Sequence, residues 1–112
     1  MPANTGFENP EPSRQDVDRL TGAVVVEFGT PWCGHCQAAR PLVERAFDDH
    51  PGVRHLRIED GRGRRLGRSF RVKLWPTLVF LRDGEEKTRL VRPDSVAAIR
   101  EALALIDPHD VP

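Results

Sequence analysis

The chain has 112 residues, and its 17 basic and 17 acidic side chains leave a formal charge of zero. That length fits one domain with a modest core. The charge balance excludes the broad attraction expected of a nucleic-acid or acidic-membrane binder, and no apolar run is long enough to cross a membrane.

Residues 1–12 read as a flexible leader, with the domain expected over 13–107 and a tail over 108–112. The leader has neither a basic start nor an apolar stretch, so it does not read as a secretory signal. The expected location is therefore the cytoplasm, or a periplasmic or secreted one if the chain is a processed form. Ser13 can cap a short helix running to Leu20, which Gly22 ends. Ala23 to Phe28 is almost continuously apolar, as in a central strand covered on both faces. Cys33 to His50 reads as a helix with Ala38, Leu42, Val43, Ala46 and Phe47 recurring at helical spacing. Pro41 lies inside it and should kink it. Pro51-Gly52 ends it.

Val53 to Ile58 reads as a strand, and Gly61 to Phe70 as a short helix or irregular link. Thr77 to Leu81 is a second buried strand. Asp83-Gly84 is a hairpin turn returning through Glu86 to Val91. Pro93-Asp94-Ser95 opens a last helix to about Ile106, with Val96, Ile99, Leu103 and Ile106 on one face. The expected fold is α/β, a central mixed sheet of about four strands flanked by helices.

Cys33 and Cys36 are the only cysteines. The loop between them is too short to staple a fold, so they point to exchange chemistry. Exchange needs a thiolate that attacks and a second thiol that resolves the mixed disulfide. At a helix start, unpaired N–H groups favour a thiolate. Cys33 takes the attacking role and Cys36, one turn on, the resolving one. His35 between them adds positive character beside Cys33, or is an ordinary surface histidine. Glu27 interrupts the apolar strand. It is a proton acceptor for Cys36 if buried, or it faces solvent if the strand is one-sided.

Zinc wants four ligands, and His35 within the Cys turn has poor geometry for the same ion as the two thiols. Haem attachment would need His at position 37, which is Gln. No metal and no cofactor beyond a Cys33–Cys36 disulfide is expected. The segment 61–73 carries Arg62, Arg64, Arg65, Arg68, Arg71 and Lys73 with no acid. It reads as a solvated face, or as a device steering acidic proteins or glutathione, more readily than as a nucleic-acid site.

Over about residues 13–106 the chain resembles the thioredoxin superfamily. Trp32-Cys33-Gly34-His35-Cys36 is similar to the active site of a protein disulfide isomerase domain, where a typical thioredoxin has Pro at the position of His35. Glu27 stands where thioredoxins usually have Asp, and Pro41 matches the family's helix proline. Trp75-Pro76-Thr77 matches its cis-proline loop, and Asp83-Gly84 its last hairpin. The resemblance implies that Pro76 is cis against the disulfide. It also implies that Trp32, Gly34, Trp75, Pro76, Thr77 and Arg92 shape the substrate groove, with the Trp75 backbone pairing to an extended segment.

Three positions depart from the family pattern. Trp75 is bulkier than the usual aliphatic or Thr. Arg92-Pro93 replaces a usual glycine. His55 stands where thioredoxins carry a Lys that pairs with the buried acid, and it either modulates Glu27 or is an ordinary strand histidine. The implied activity is thiol–disulfide oxidoreduction of protein disulfides by a monomer, with a thioredoxin-reductase-like or glutathione electron donor and no nucleic-acid or membrane partner. The alternative is a redox-sensing adaptor or chaperone-like module for one dedicated partner. Direction is open, because thioredoxin-like and isomerase-like potentials differ by about 90 mV.

Overall fold

The computed structural model describes residues 6–108. The parts of the expected leader and tail at residues 1–5 and 109–112 lie outside that range. The elements run α1 (Arg14–Asp18), β1 (Ala23–Gly29), α2 (Gly34–Phe47), β2 (Arg54–Glu59), α3 (Arg65–Ser69), β3 (Thr77–Arg82), β4 (Glu85–Val91) and α4 (Val96–Ile106). The sheet order is β2-β1-β3-β4. β1 runs parallel to β2 and antiparallel to β3, which pairs antiparallel with β4. This is the mixed four-stranded sheet expected from the sequence.

The central place of β1 explains its composition. Val24, Val26 and Phe28 pack with Val17, Leu66, Phe70, Val79 and Leu81 on one face. Ala23 and Val25 pack on the other with Val43, Ala46, Phe47, Leu78, Phe80, Ile99 and Leu103. Every residue of β1 is buried, Glu27 included. Two covered faces leave no solvent side for it, so the exposed alternative for Glu27 does not hold.

The ends of the elements follow local chemistry. Ser13 Oγ accepts from Asp16 N–H and Asp16 reaches back to Ser13, closing a capping box on α1. Asp83 and Gly84 both have positive φ (51° and 80°), the two-residue hairpin geometry that matches strand twist. Asp83 Oδ1 also accepts from Gly22 N–H at 2.7 Å, tying this hairpin to the entrance of β1. Within the expected leader, Glu8 N–H donates to the Arg57 carbonyl, and the Arg57 guanidinium lies 4.3 Å from the Phe7 ring centroid.

Three details of α2 differ from the sequence reading. Cys33 is the N-cap in extended geometry (φ −81°, ψ 117°), not the first helical residue, and the helix ends at Phe47 rather than His50. Ala39, not Ala38, faces the core, alongside Cys36, Val43, Ala46 and Phe47. Alanine at both positions hides the difference from periodicity. Pro41 lies inside the helix on its exposed side.

Candidate active site

The strand–loop–helix unit from β1 into α2 places the two cysteines, both as free thiols. As N-cap, Cys33 Sγ accepts the Cys36 N–H at 3.2 Å. A sulfur there satisfies one of the orphan donors of the helix start. Its other neighbour is the Trp75 carbonyl oxygen, 3.9 Å away. Cys36 lies one turn along, and both cysteines are buried. A side chain on Gly29 would put its Cβ 2.6 Å from Cys36 Sγ, so β1 must end in glycine for the thiol to seat.

Burial is the main reason the Cys36 thiol is pushed up from 9.0 to about 12. The hydrogen bond to Cys33 adds to the rise, a backbone hydrogen bond from Thr30 opposes it, and the charges of Cys33 and Glu27 raise it further. At neutral pH Cys36 therefore keeps its proton unless something takes it.

Glu27 lies on the same face of β1 as Gly29, two residues upstream, and its charge reaches Cys36. Its Oε1 is 2.7 Å from Nε2 of His55, both groups being buried. The His55 ring stacks on Phe47 at a centroid distance of 4.7 Å, which fixes its orientation. His55 is thus the partner of the buried acid rather than an ordinary strand histidine. Arg57 stands opposite Glu27 in the β1–β2 register. Its guanidinium is lowered mainly by burial, with Glu27 opposing that effect and Arg40 adding to it. The participation of Arg57 could not be read from the sequence, because it depends on the pairing of strands about thirty positions apart.

The loop before β3 closes the other side. The Trp75–Pro76 peptide bond is cis, Pro76 is buried, and Thr77 Oγ donates to the Leu74 carbonyl at 2.6 Å. Trp75 meets the exposed Trp32 edge-on at 5.6 Å. Its indole N–H donates to Asp60 Oδ2 at 2.8 Å, a contact the sequence did not indicate. Asp60 is in turn held close to β1, its N–H donating to the Gly29 carbonyl.

Arg92 has a left-handed backbone (φ 51°), its N–H donates to the Pro76 carbonyl, and its Nε donates to the Trp75 carbonyl at 2.9 Å. The acceptor expected to pair with a substrate strand is therefore already engaged by a side chain. His35 and Arg92 face each other across an open cleft of about 320 Å³ beside Pro93 and Leu42. Gly34 is exposed with open space around it. Among the described residues no three His, Cys, Asp or Glu side chains gather as a metal-holding group.

A Cys-x-x-Cys dithiol at a helix start, with the charge of a buried carboxylate acting on the second sulfur, defines a thiol–disulfide oxidoreductase. The sequence model of the thioredoxin family matches residues 7–104, and the chain belongs to that family. In fold, it superposes on thioredoxin 2 from Pseudomonas aeruginosa PAO1 in its reduced form with a TM-score of 0.81, at 58% identity over 90% of this chain and 94% of that one. In sequence, it is 31% identical to thioredoxin-2 of Saccharomyces cerevisiae over 72% of this chain and 77% of that one. It is 41% identical to protein disulfide isomerase-like 1-4 of Arabidopsis thaliana over 64% of this chain, but spans only 12% of that much longer protein.

Proposed function

We propose that Cys33 attacks disulfides in protein substrates and that Cys36 resolves the mixed disulfide with Glu27 as its proton acceptor. The Cys33 thiolate displaces one substrate sulfur, which leaves as a thiolate and takes up a proton. Glu27 then removes the Cys36 proton, and Cys36 attacks Cys33 Sγ. The second substrate sulfur leaves, and a Cys33–Cys36 disulfide remains. Two electrons have passed to the substrate. A thioredoxin-reductase-like protein or glutathione restores them.

The observation that carries this reading is the asymmetry of the two thiols. One sits at a helix start accepting an N–H. The other is pushed up to about 12, with the charge of a buried carboxylate acting on it. His35 next to the attacking sulfur favours a more oxidising pair than a proline there would. In a reducing cytoplasm the pair would still run as a reductase.

The test is trapping with Cys36→Ser. That variant should accumulate mixed disulfides through Cys33 with protein substrates, while wild type reduces insulin with thioredoxin reductase or glutathione as the electron source. Failure of wild type with both donors, or trapping through residue 36 in the reverse variant Cys33→Ser but not through Cys33, would overturn the assignment.

A further inference from the structure

Cation placement outside the dithiol is uneven. Several surface cations have a carboxylate close by: Arg14 with Asp18, Arg40 with Glu44, Lys87 with Glu85, Arg89 with Glu86 and Arg100 with Asp49. Other exposed arginines, Arg19, Arg45 and Arg54 among them, also have no ion pair with a described carboxylate; what sets one open cleft of about 310 Å³ apart is that its wall gathers Arg64, Arg68, Arg71 and Lys73 beside Asp60 and Trp75. Arg64 reaches Glu59 at 3.7 Å. Arg68, Arg71 and Lys73 have no ion pair with any described carboxylate and are exposed. The one acid in the wall, Asp60, is occupied by the Trp75 indole. In a chain of zero net charge, Arg68, Arg71 and Lys73 thus join the Glu59-paired Arg64 around one cleft whose wall holds a single carboxylate, a local excess of positive charge.

The cleft also adjoins the chemistry. Trp75 forms part of its wall, and the Trp75 carbonyl is 3.9 Å from Cys33 Sγ. A chain joined to Cys33 through a disulfide and leaving on this side of Trp75 enters the cleft within a few residues. Guanidinium groups hold carboxylates in paired, geometrically selective hydrogen bonds. The cleft walls lack the stacked aromatics of a single-stranded nucleic-acid site.

We propose that the Arg64–Arg68–Arg71–Lys73 cleft is a carboxylate-binding subsite that selects protein substrates with Asp or Glu a few residues from the target disulfide. The subsite rests on Cys33 being the attacking thiol, and it acts on the encounter and on substrate binding, not on the exchange step.

Two peptides with the same disulfide test this, one flanked by Glu residues and the other by Gln. They are offered to wild type and to the exposed double variant Arg68→Gln/Lys73→Gln. Wild type at low salt should reduce the acidic peptide about five- to tenfold more efficiently in kcat/KM, the scale of a few screened ion pairs. That preference should shrink toward parity in 0.5 M NaCl and in the variant, with the Gln peptide turned over equally by both proteins. A wild-type ratio near one at low salt, or an equal ratio in wild type and variant, overturns the subsite. In either case normal turnover of the Gln peptide leaves the exchange chemistry standing. Loss of turnover of both peptides by wild type would overturn the exchange chemistry instead. If the variant folds poorly, the salt dependence of wild type decides alone, and a preference that survives 0.5 M NaCl undiminished overturns the subsite.

Discussion

Two side chains at the site make separable demands. Glu27 occupies a strand position where both faces are packed, and His55 holds one of its oxygens. Exchanging it for the isosteric Gln keeps the volume and a hydrogen bond to His55 but removes the base. Glu27→Gln should leave the first attack of Cys33 nearly intact and slow resolution by Cys36 about 100-fold, the lower end for a lost general base. Rapid-mixing kinetics that separate the two steps would check this, and equal slowing of both would remove Glu27 from proton transfer. On the proposed function, Arg92 bears on substrate binding rather than on chemistry. It holds a backbone conformation that suits glycine and covers the Trp75 carbonyl. Arg92→Gly should raise stability by up to about 1 kcal/mol through relief of that conformation. It should also lower KM several-fold for extended peptide disulfides, because the carbonyl becomes free to pair. A KM that rises would mean that Arg92 itself holds substrate.

The elements act by bringing these groups to one place, and their contacts have measurable costs. The end of β1 meets the start of α2 so closely that Gly29→Ala forces Cys36 or the strand to move. We expect a loss of about 1–3 kcal/mol in urea unfolding, with slower resolution by Cys36. At the opposite end of α2, His50 Nδ1 lies 2.6 Å from Asp107 Oδ2, both buried, joining that helix to the cap of α4. Asp107→Asn should cost about 1–3 kcal/mol in the same measurement and leave the reduction potential unchanged, since the pair is far along the helix from Cys33. Local patterns carried most of this arrangement. The apolar runs of β1 and β3, the Asp83-Gly84 turn and the Cys33–Cys36 pair are signals within a few residues of chain, and each falls where the structure has it. What depended on long-range pairing was not legible. The Glu27–His55 contact was one of two open readings until the parallel β1–β2 register fixed it, and Arg57 beside Glu27 and Asp60 beneath the Trp75 indole gave no local sign. The choice of Ala39 over Ala38 escaped because two adjacent alanines carry no polarity difference.

Folding is also coupled to the protonation of the Cys36 thiol. In the reduced folded protein Cys36 titrates near 12, whereas in an unfolded chain a cysteine titrates near 9. Between those values the unfolded chain has already released the proton that the native protein keeps. The contribution of this thiol to folding stability is thus fully present below about pH 9 and is lost as the pH climbs toward 12. The composition makes this measurable. The chain has no tyrosine, and its lysines are Lys73 and Lys87, so few other groups titrate in the window. Urea unfolding of the reduced protein from pH 8 to 11 should show a falling midpoint. In Cys36→Ala the fall should be smaller, and the difference between the two proteins isolates the thiol. The oxidised protein has no thiol at position 36 to titrate and should lack this component. Parallel pH curves for reduced wild type and Cys36→Ala would mean that the burial seen at Cys36 does not hold its proton. Proton removal by Glu27 would then be unnecessary for resolution.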